Sequence, residues 1–183
     1  VAPEAPNFGS VEVGKGGELG LLVRNSPPDT DSNRVVTITS LSINAQAAEF
    51  FKLGSDTPAL PFLVAPGEHN AKSLTLRYTP LAPIRQNATL TIVAEVGKSQ
   101  PETIEVPLVG QGTAPLLQTN TGYTISFGEV LFNRRAETEI LLSNVGGGVL
   151  RIDDIQIVAA SEPVFTLDPL QAKGAELSPG QNT

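Results

Sequence analysis

Side chains that could bind a cation are densest in one stretch near the start of the chain. Asp29, Asp31 and Asn33 alternate with Thr and Ser, which is the spacing of the first three oxygen ligands in a calcium-binding loop. That loop type needs glycine at the next position and glutamate at the twelfth, where this chain has Arg34 and Ser40. The stretch is therefore either a weak calcium site or, as we favour, a solvated polar loop.

Groups that could catalyse a reaction are scarce. His69 is the only histidine and lies next to Glu68, and the chain has no cysteine. The chain therefore lacks the second histidine or the cysteines that a typical metal centre or nucleophile–base pair would need. Asp153 and Asp154 are adjacent carboxylates, but neighbours in a strand point to opposite faces and make a poor acid–base pair. The sequence therefore predicts no catalytic residue, no enzyme activity and no cofactor beyond the calcium candidate.

Charge and hydropathy exclude two further classes of partner. The 183 residues carry 12 basic and 19 acidic side chains, a formal net charge of −7, which argues against a nucleic-acid backbone as a ligand. No apolar run approaches the roughly 20 residues that a membrane-spanning helix needs. Arg134 and Arg135 form the strongest basic pair, which we interpret as a salt-bridged turn, with contact to an acidic partner as the alternative.

An internal repeat organises the chain. Phe8-Gly9-Ser10-Val11 recurs as Phe127-Gly128-Glu129-Val130, 119 residues later, and Asn25 and Asn144 have the same separation. From Val35 through Leu53 the copies align at a separation of 114, and both contain Pro-Gly, at 66–67 and at 179–180. The repeat predicts a complete domain over residues 1–115 and the first part of a second domain over 116–183, which lacks its last three strands.

Alternating apolar residues and frequent Gly and Pro predict short strands and no long helix. Val36 and Ile38 lie at even positions, whereas Leu41 and Ile43 lie at odd positions, so in a regular strand the two pairs would point to opposite faces. A bulge at Thr39-Ser40 is therefore predicted, because it would turn both pairs to the same face. Repeat two shows the same slip at Asp153-Asp154, and Pro107 indicates an edge or a bulge. The strands of repeat one are predicted near 8–13, 18–25, 35–43, 50–53, 72–79, 88–96 and 103–109. The predicted fold class is all-β, with tandem immunoglobulin-like antiparallel β-sandwiches, the second incomplete.

These motifs, in this order, resemble a known family. The chain is similar to the ASH-type (abnormal spindle and Hydin) immunoglobulin-like domains and their bacterial relatives in choice-of-anchor D surface proteins. The matching marks are Phe-Gly-x-Val, an apolar strand ending in Asn, Phe-x-Leu at 51–53 and 165–167, Pro-Gly, Tyr78-Thr79-Pro80 and the closing segment 106–112. The resemblance implies a sandwich fold without catalytic residues, in which Phe8 and Phe127 fill the core and Asn25 and Asn144 form turns.

The leading functional hypothesis is a non-catalytic structural or adhesive module of an extracellular tandem-repeat protein at a bacterial cell surface. Its partners would be other proteins or neighbouring repeats of the same chain. An intracellular scaffold domain that recruits proteins, as in ciliary or centrosomal relatives, is the alternative. A carbohydrate-binding module ranks third, because the chain has no Trp and only two Tyr to stack on sugar rings.

The short second repeat raises the question of how it is completed. Its apolar faces and strand edges would lack partners, so the sequence predicts that residues 116–183 alone are unfolded or oligomeric. We expect either that the chain, which begins Val-Ala-Pro and contains no Met, is a processed product or an excerpt, or that another chain donates or swaps strands into this segment.

Overall fold

A computed structural model describes residues 6–26, 34–97, 99–122, 124–158, 164–169 and 172–183. The chain divides into two compact units, Val1–Thr113 (unit 1) and Ala114–Thr183 (unit 2). The division falls two residues before the boundary inferred from the sequence and coincides with the end of the last strand of unit 1, at Thr113.

Unit 1 consists of short strands with one 3-10 turn, Glu68–Asn70, in its described residues. The strands are β1 (Asn7–Glu12), β2 (Gly17–Val23), β3 (Val36–Ile43), β4 (Phe51–Leu53), β5 (Phe62–Val64), β6 (Lys72–Tyr78), β7 (Arg85–Val96) and β8 (Glu102–Thr113). Strand β5 was missed by sequence reasoning, because its three residues lie between Pro61 and Pro66 in a segment that resembles a turn.

Two sheets make up unit 1. One has the order β1-β8-β7-β3-β5 and the other the order β2-β6-β4. All neighbouring strands are antiparallel except β1 and β8, which are parallel. The inward side chains of both sheets form one apolar core, so unit 1 is an immunoglobulin-like β-sandwich, as predicted. The buried apolar residues are Ile38, Ala47, Phe51, Phe62, Val64, Leu74, Leu76, Tyr78, Ala88, Leu90, Ile92, Ala94, Val106 and Leu108.

Two irregularities predicted from sequence are present in unit 1. The β3·β7 register shifts between Ile38 and Ser40, which confirms the bulge at Thr39-Ser40. Strand β8 lies inside its sheet, but Pro107 precedes the point where β1 begins, opposite Val109. The Val109 N–H donates to the Pro6 carbonyl, so the nitrogen of Pro107, two residues earlier, faces the same side, where β1 has not yet started. Among the described residues, Pro107 therefore lies at a local edge.

The last strand of repeat one was predicted near 103–109, but β8 continues through Thr113 and contains Gly110 and Gly112. Gly110 lies against the ring of Tyr78, so that an added Cβ would be 2.5 Å from Tyr78 Cε1. At Gly112 an added Cβ would overlap the carbonyl oxygen of Ala82. These glycines allow close packing on a continuous strand.

Unit 2 repeats parts of the same ladders. Its strands are β9 (Leu117–Thr119), β10 (Leu142–Asn144), β11 (Leu150–Arg151) and β12 (Glu176–Leu177). The β11·β12 pair matches β3·β5, because Leu150 opposite Leu177 corresponds to Val36 opposite Val64. Leu142 exchanges two backbone hydrogen bonds with Thr183, as part of a ladder that corresponds to β2·β6.

Two expectations for unit 2 are corrected. Phe127–Val130 is not a strand, because the matching β1 is held by parallel pairing with β8 and the described residues of unit 2 contain no strand equivalent to β8. Strand β11 ends at Arg151, before Asp153-Asp154, so no bulge forms there; in unit 1 the bulge belongs to the β3·β7 ladder, whereas β11 pairs with β12.

Candidate functional site

A buried asparagine joins three chain segments in unit 1. Asn25 is 8% exposed and lies two residues after the end of β2, and its Nδ2 donates to the backbone carbonyls of Arg34 (2.6 Å) and Val64 (2.9 Å). The backbone carbonyl of Asn25 accepts from the N–H of Gly67 (3.2 Å), and the φ of Gly67, 97°, places that glycine in the left-handed region. One side chain thereby connects the end of β2 to the start of β3 and the end of β5.

The same set of hydrogen bonds exists in unit 2. Asn144 is fully buried, and its Nδ2 donates to the carbonyls of Gly148 (2.6 Å) and Leu177 (2.8 Å), which correspond to Arg34 and Val64. The backbone carbonyl of Asn144 accepts from the N–H of Gly180 (2.8 Å), the counterpart of Gly67. The interpretation as turn-forming residues was incomplete: both asparagines are buried cross-links, a role that polar residue type alone does not indicate.

Aromatic rings form the second shared feature. In unit 1, the Phe8 ring lies 5.7 Å from Phe51 and 5.4 Å from Tyr78, and the last two stack at 4.6 Å. Burial raises the pKa of Tyr78, whose hydroxyl donates to Gln86 Oε1 at 2.8 Å. In unit 2, Phe127 and Phe165 make the equivalent contact at 5.8 Å, but Phe165 is 55% exposed.

The first and last strands of unit 1 lie side by side. Strand β1 pairs in parallel with β8, with Asn7 opposite Val109 and Glu12 opposite Thr113. The Val13 N–H extends the ladder by donating to the Thr113 carbonyl at 2.8 Å. The chain therefore enters and leaves unit 1 through two strands that are hydrogen-bonded to each other and run in the same direction.

The outer strands of both sheets carry exposed leucines. Strand β5 ends the larger sheet, and its Leu63 is 60% exposed. Strand β2 ends the smaller sheet, and its Leu22 is 52% exposed. An outer strand presents backbone N–H and C=O groups to which another chain can add.

The calcium candidates Asp29, Asp31 and Asn33 lie outside the described residues. Within the described part of the chain, no group of three or more His, Asp or Glu side chains is arranged to hold a metal ion. His69 lies in the exposed 3-10 turn after Gly67.

The other charged candidates are separated from one another. Asp153 pairs with Arg151 (2.7 Å) and Asp154 with Lys173 (2.9 Å), so the two carboxylates serve different cations. The hydrogen bond and charge of Lys173 lower the pKa of Asp154, so this carboxylate is ionised at neutral pH. Arg135 lies 3.6 Å from Glu137 on an exposed surface, as expected for a salt-bridged turn.

Comparisons with known proteins give only distant likenesses. No family model matches the sequence. No curated protein matches it. Across the described ranges, the structure has no helix long and apolar enough to cross a membrane.

Several solved structures are similar to this chain, and three of them show the range. One is the VesB protease of Vibrio cholerae, with 12% identity and a TM-score of 0.47 over 59% of this chain and 30% of that one. Another is the ASH/PapD-like domain 7 of human CEP192, with 14% identity and a TM-score of 0.41 over 60% and 82% of the two chains. The class 5 fimbriae chaperone CfaA has 13% identity and a TM-score of 0.34 over 95% and 80%. The sheet order and the apolar core of unit 1 are those of an immunoglobulin-like fold.

Proposed function

We propose that this chain is a non-catalytic structural module of a tandem-repeat protein, which carries tension between its neighbours and contacts other proteins through its outer strands. The observation that supports the proposal most is the parallel β1·β8 pair of unit 1. Tension along the chain pulls β1 toward its start and β8 toward its end, so the two strands are forced to slide past each other. All hydrogen bonds between them are then loaded at once, and not one after another.

We further propose a family and a cellular location for this module, and we propose no catalytic activity. The resemblance of the Phe-Gly-x-Val, Asn and Pro-Gly marks to choice-of-anchor D repeats favours an ASH-type module at a bacterial cell surface. No catalytic role is proposed, because the described carboxylates are divided among separate ion pairs and His69 has no second histidine beside it. Labelling intact cells that express the gene with an antibody to the module tests the location; labelling only after permeabilisation would favour the intracellular scaffold.

Val11→Pro tests the tension-bearing ladder. The Val13 N–H donates to the Thr113 carbonyl, and backbone N–H groups two residues apart in a strand point to the same side, so the N–H of Val11 also faces β8. Proline at this position has no N–H to donate. We expect unit 1 of the Val11→Pro variant to unfold at a clearly lower force in single-molecule stretching of the full chain. Val11→Ala is the matched control, because it shortens the same side chain and keeps the N–H. Equal unfolding forces for the two variants would refute the ladder as the element that resists tension.

A further inference from the structure

The backbone of Leu63 in β5 points away from its sheet. The Asn44 N–H donates to the Thr89 carbonyl at 3.2 Å, and β7 is regular along its ladder with β8, so every second residue of β7 from Thr89 to Glu95 faces β3. Thr37 is opposite Glu95 and therefore faces β7, while its two neighbours in β3 face β5. Leu63, which is opposite Thr37, consequently turns its N–H and C=O outward. Within the described residues, neither group has a hydrogen-bond partner.

The side chain of Leu63 is exposed, whereas those of its neighbours in the strand are buried. Leu63 is 60% exposed, but Phe62 and Val64 are 8% and 1% exposed. Leu60, just before β5, is 43% exposed. The outermost strand of the larger sheet therefore presents both backbone groups and apolar side chains, a combination that favours pairing with another strand.

The matching strand of unit 2 differs at the exposed position and not at the buried one. In the β11·β12 pair, Glu176 takes the place of Leu63 and is exposed, while the buried Leu177 takes the place of Val64. A charged side chain on an outer strand opposes the addition of a further strand. Unit 2 therefore has a protecting charge at the position where unit 1 has an exposed leucine.

The sequence around β5 is free of charge. No Asp, Glu, Lys or Arg occurs from Thr57 to Gly67. Counting back from the shared Pro-Gly, Lys173 of unit 2 takes the place of Leu60. Two copies of a chain with a net charge of −7 repel each other, so a contact between copies needs a surface without charge. The segment around β5 provides such a surface.

A second copy of this strand fits the first by twofold symmetry. When two β5 strands meet in antiparallel orientation with Leu63 opposite Leu63, each Leu63 donates its N–H to the C=O of the other. The two leucine side chains then lie side by side on the same face. Pro61, directly before β5, has no N–H, so the added ladder ends there and stays short.

We propose that β5 of unit 1, together with Leu60, is a self-association edge, to which a second copy of this chain adds its own β5 in antiparallel register. This proposal rests on the protein-contact part of the proposed function, for which it names the partner, and is independent of the tension-bearing ladder. One short strand buries much less than the roughly 1,200–2,000 Å² of a stable interface, so the copies associate with a dissociation constant of about 0.1–1 mM.

The test is sedimentation equilibrium of the full 183-residue chain from about 10 μM to about 1 mM. We expect the average mass to rise with concentration toward that of a dimer. In NMR spectra over the same range, the amide of Leu63 should shift with concentration, and its hydrogen exchange should slow as its N–H becomes bonded to the second copy.

Two substitutions of equal charge locate the contact. Leu63→Glu gives unit 1 the residue type that unit 2 has at Glu176, and it places two carboxylates opposite each other across the twofold axis. We expect it to weaken association at least about tenfold. Leu81→Glu is the matched control, because Leu81 is 53% exposed but lies between β6 and β7, and this variant should associate as the parent does.

Three outcomes would overturn the proposal. The first is a mass that stays monomeric at about 1 mM, which would leave this edge to a strand of a different protein. The second is equal weakening by Leu63→Glu and Leu81→Glu, and the third is association that survives Leu63→Glu, which would place the contact on another surface of the chain. None of these outcomes changes the unfolding force of unit 1, so failure of the self-association edge is distinguishable from failure of the tension-bearing ladder.

Discussion

Replacing Asn25 with aspartate is expected to lower the free energy of unfolding of unit 1 by about 1–3 kcal/mol for the buried Val64 carbonyl that loses its donor, with a smaller further cost at the part-buried Arg34 carbonyl. The carbonyls of Arg34 and Val64 accept from Asn25 Nδ2 at 2.6 and 2.9 Å. A carboxylate has nearly the same shape but no donor, and it would place negative charge against both carbonyl oxygens in a buried position.

The measurement is amide hydrogen exchange of Leu90 and Leu108, whose N–H groups lie in the core strands β7 and β8. Asn44→Asp is the control, because Asn44 uses its Oδ1 to accept from the Thr89 N–H at 2.9 Å and aspartate keeps that acceptor. We expect the control to change stability by less than about 0.5 kcal/mol. Equal effects of the two substitutions would contradict the assignment of Asn25 as a buried cross-link.

Gly110→Ala is expected to destabilise unit 1 by about 1–3 kcal/mol through overpacking. The added methyl group would be 2.5 to 2.7 Å from three ring atoms of Tyr78. That ring cannot move aside easily, because Phe51 stacks on it at 4.6 Å and its hydroxyl is held by Gln86.

Gly20→Ala is the control for Gly110→Ala. Gly20 also lies in a strand, β2, but a Cβ there has no atom within 4 Å. Chemical denaturation followed by NMR of unit 1 should separate the two variants, with Gly20→Ala within about 0.5 kcal/mol of the parent. A Gly110→Ala protein as stable as the control would show that β8 does not approach Tyr78 as described.

Most strands of unit 1 could be predicted from the sequence, because a strand with one buried face has alternating apolar and polar residues. The inward faces of β6 and β7 and the bulge at Thr39-Ser40 followed from parity alone. Strand β5 could not be predicted in this way, because its three residues are too few to show an alternation of apolar and polar residues. The last strand was predicted to end near 109 and not at Thr113, because a glycine is as compatible with the end of a strand as with close packing against an aromatic ring.

The shared asparagine was visible in the sequence as a repeated residue, but its partners were not. The carbonyls of Arg34 and Val64 are backbone groups brought together by folding, and no side-chain motif marks them. The calcium candidates Asp29, Asp31 and Asn33 stay a prediction.

The most direct test of the tension-bearing role compares two directions of pulling on unit 1. The chain has no cysteine, so a pair of engineered cysteines fixes the attachment points. Cysteines at Asn7 and Thr113 pull β1 and β8 past each other, whereas cysteines at Asn7 and Val109, which are directly opposed, separate the strands one bond at a time. We predict a clearly higher force for the first pair; equal forces for both pairs would contradict the proposed function.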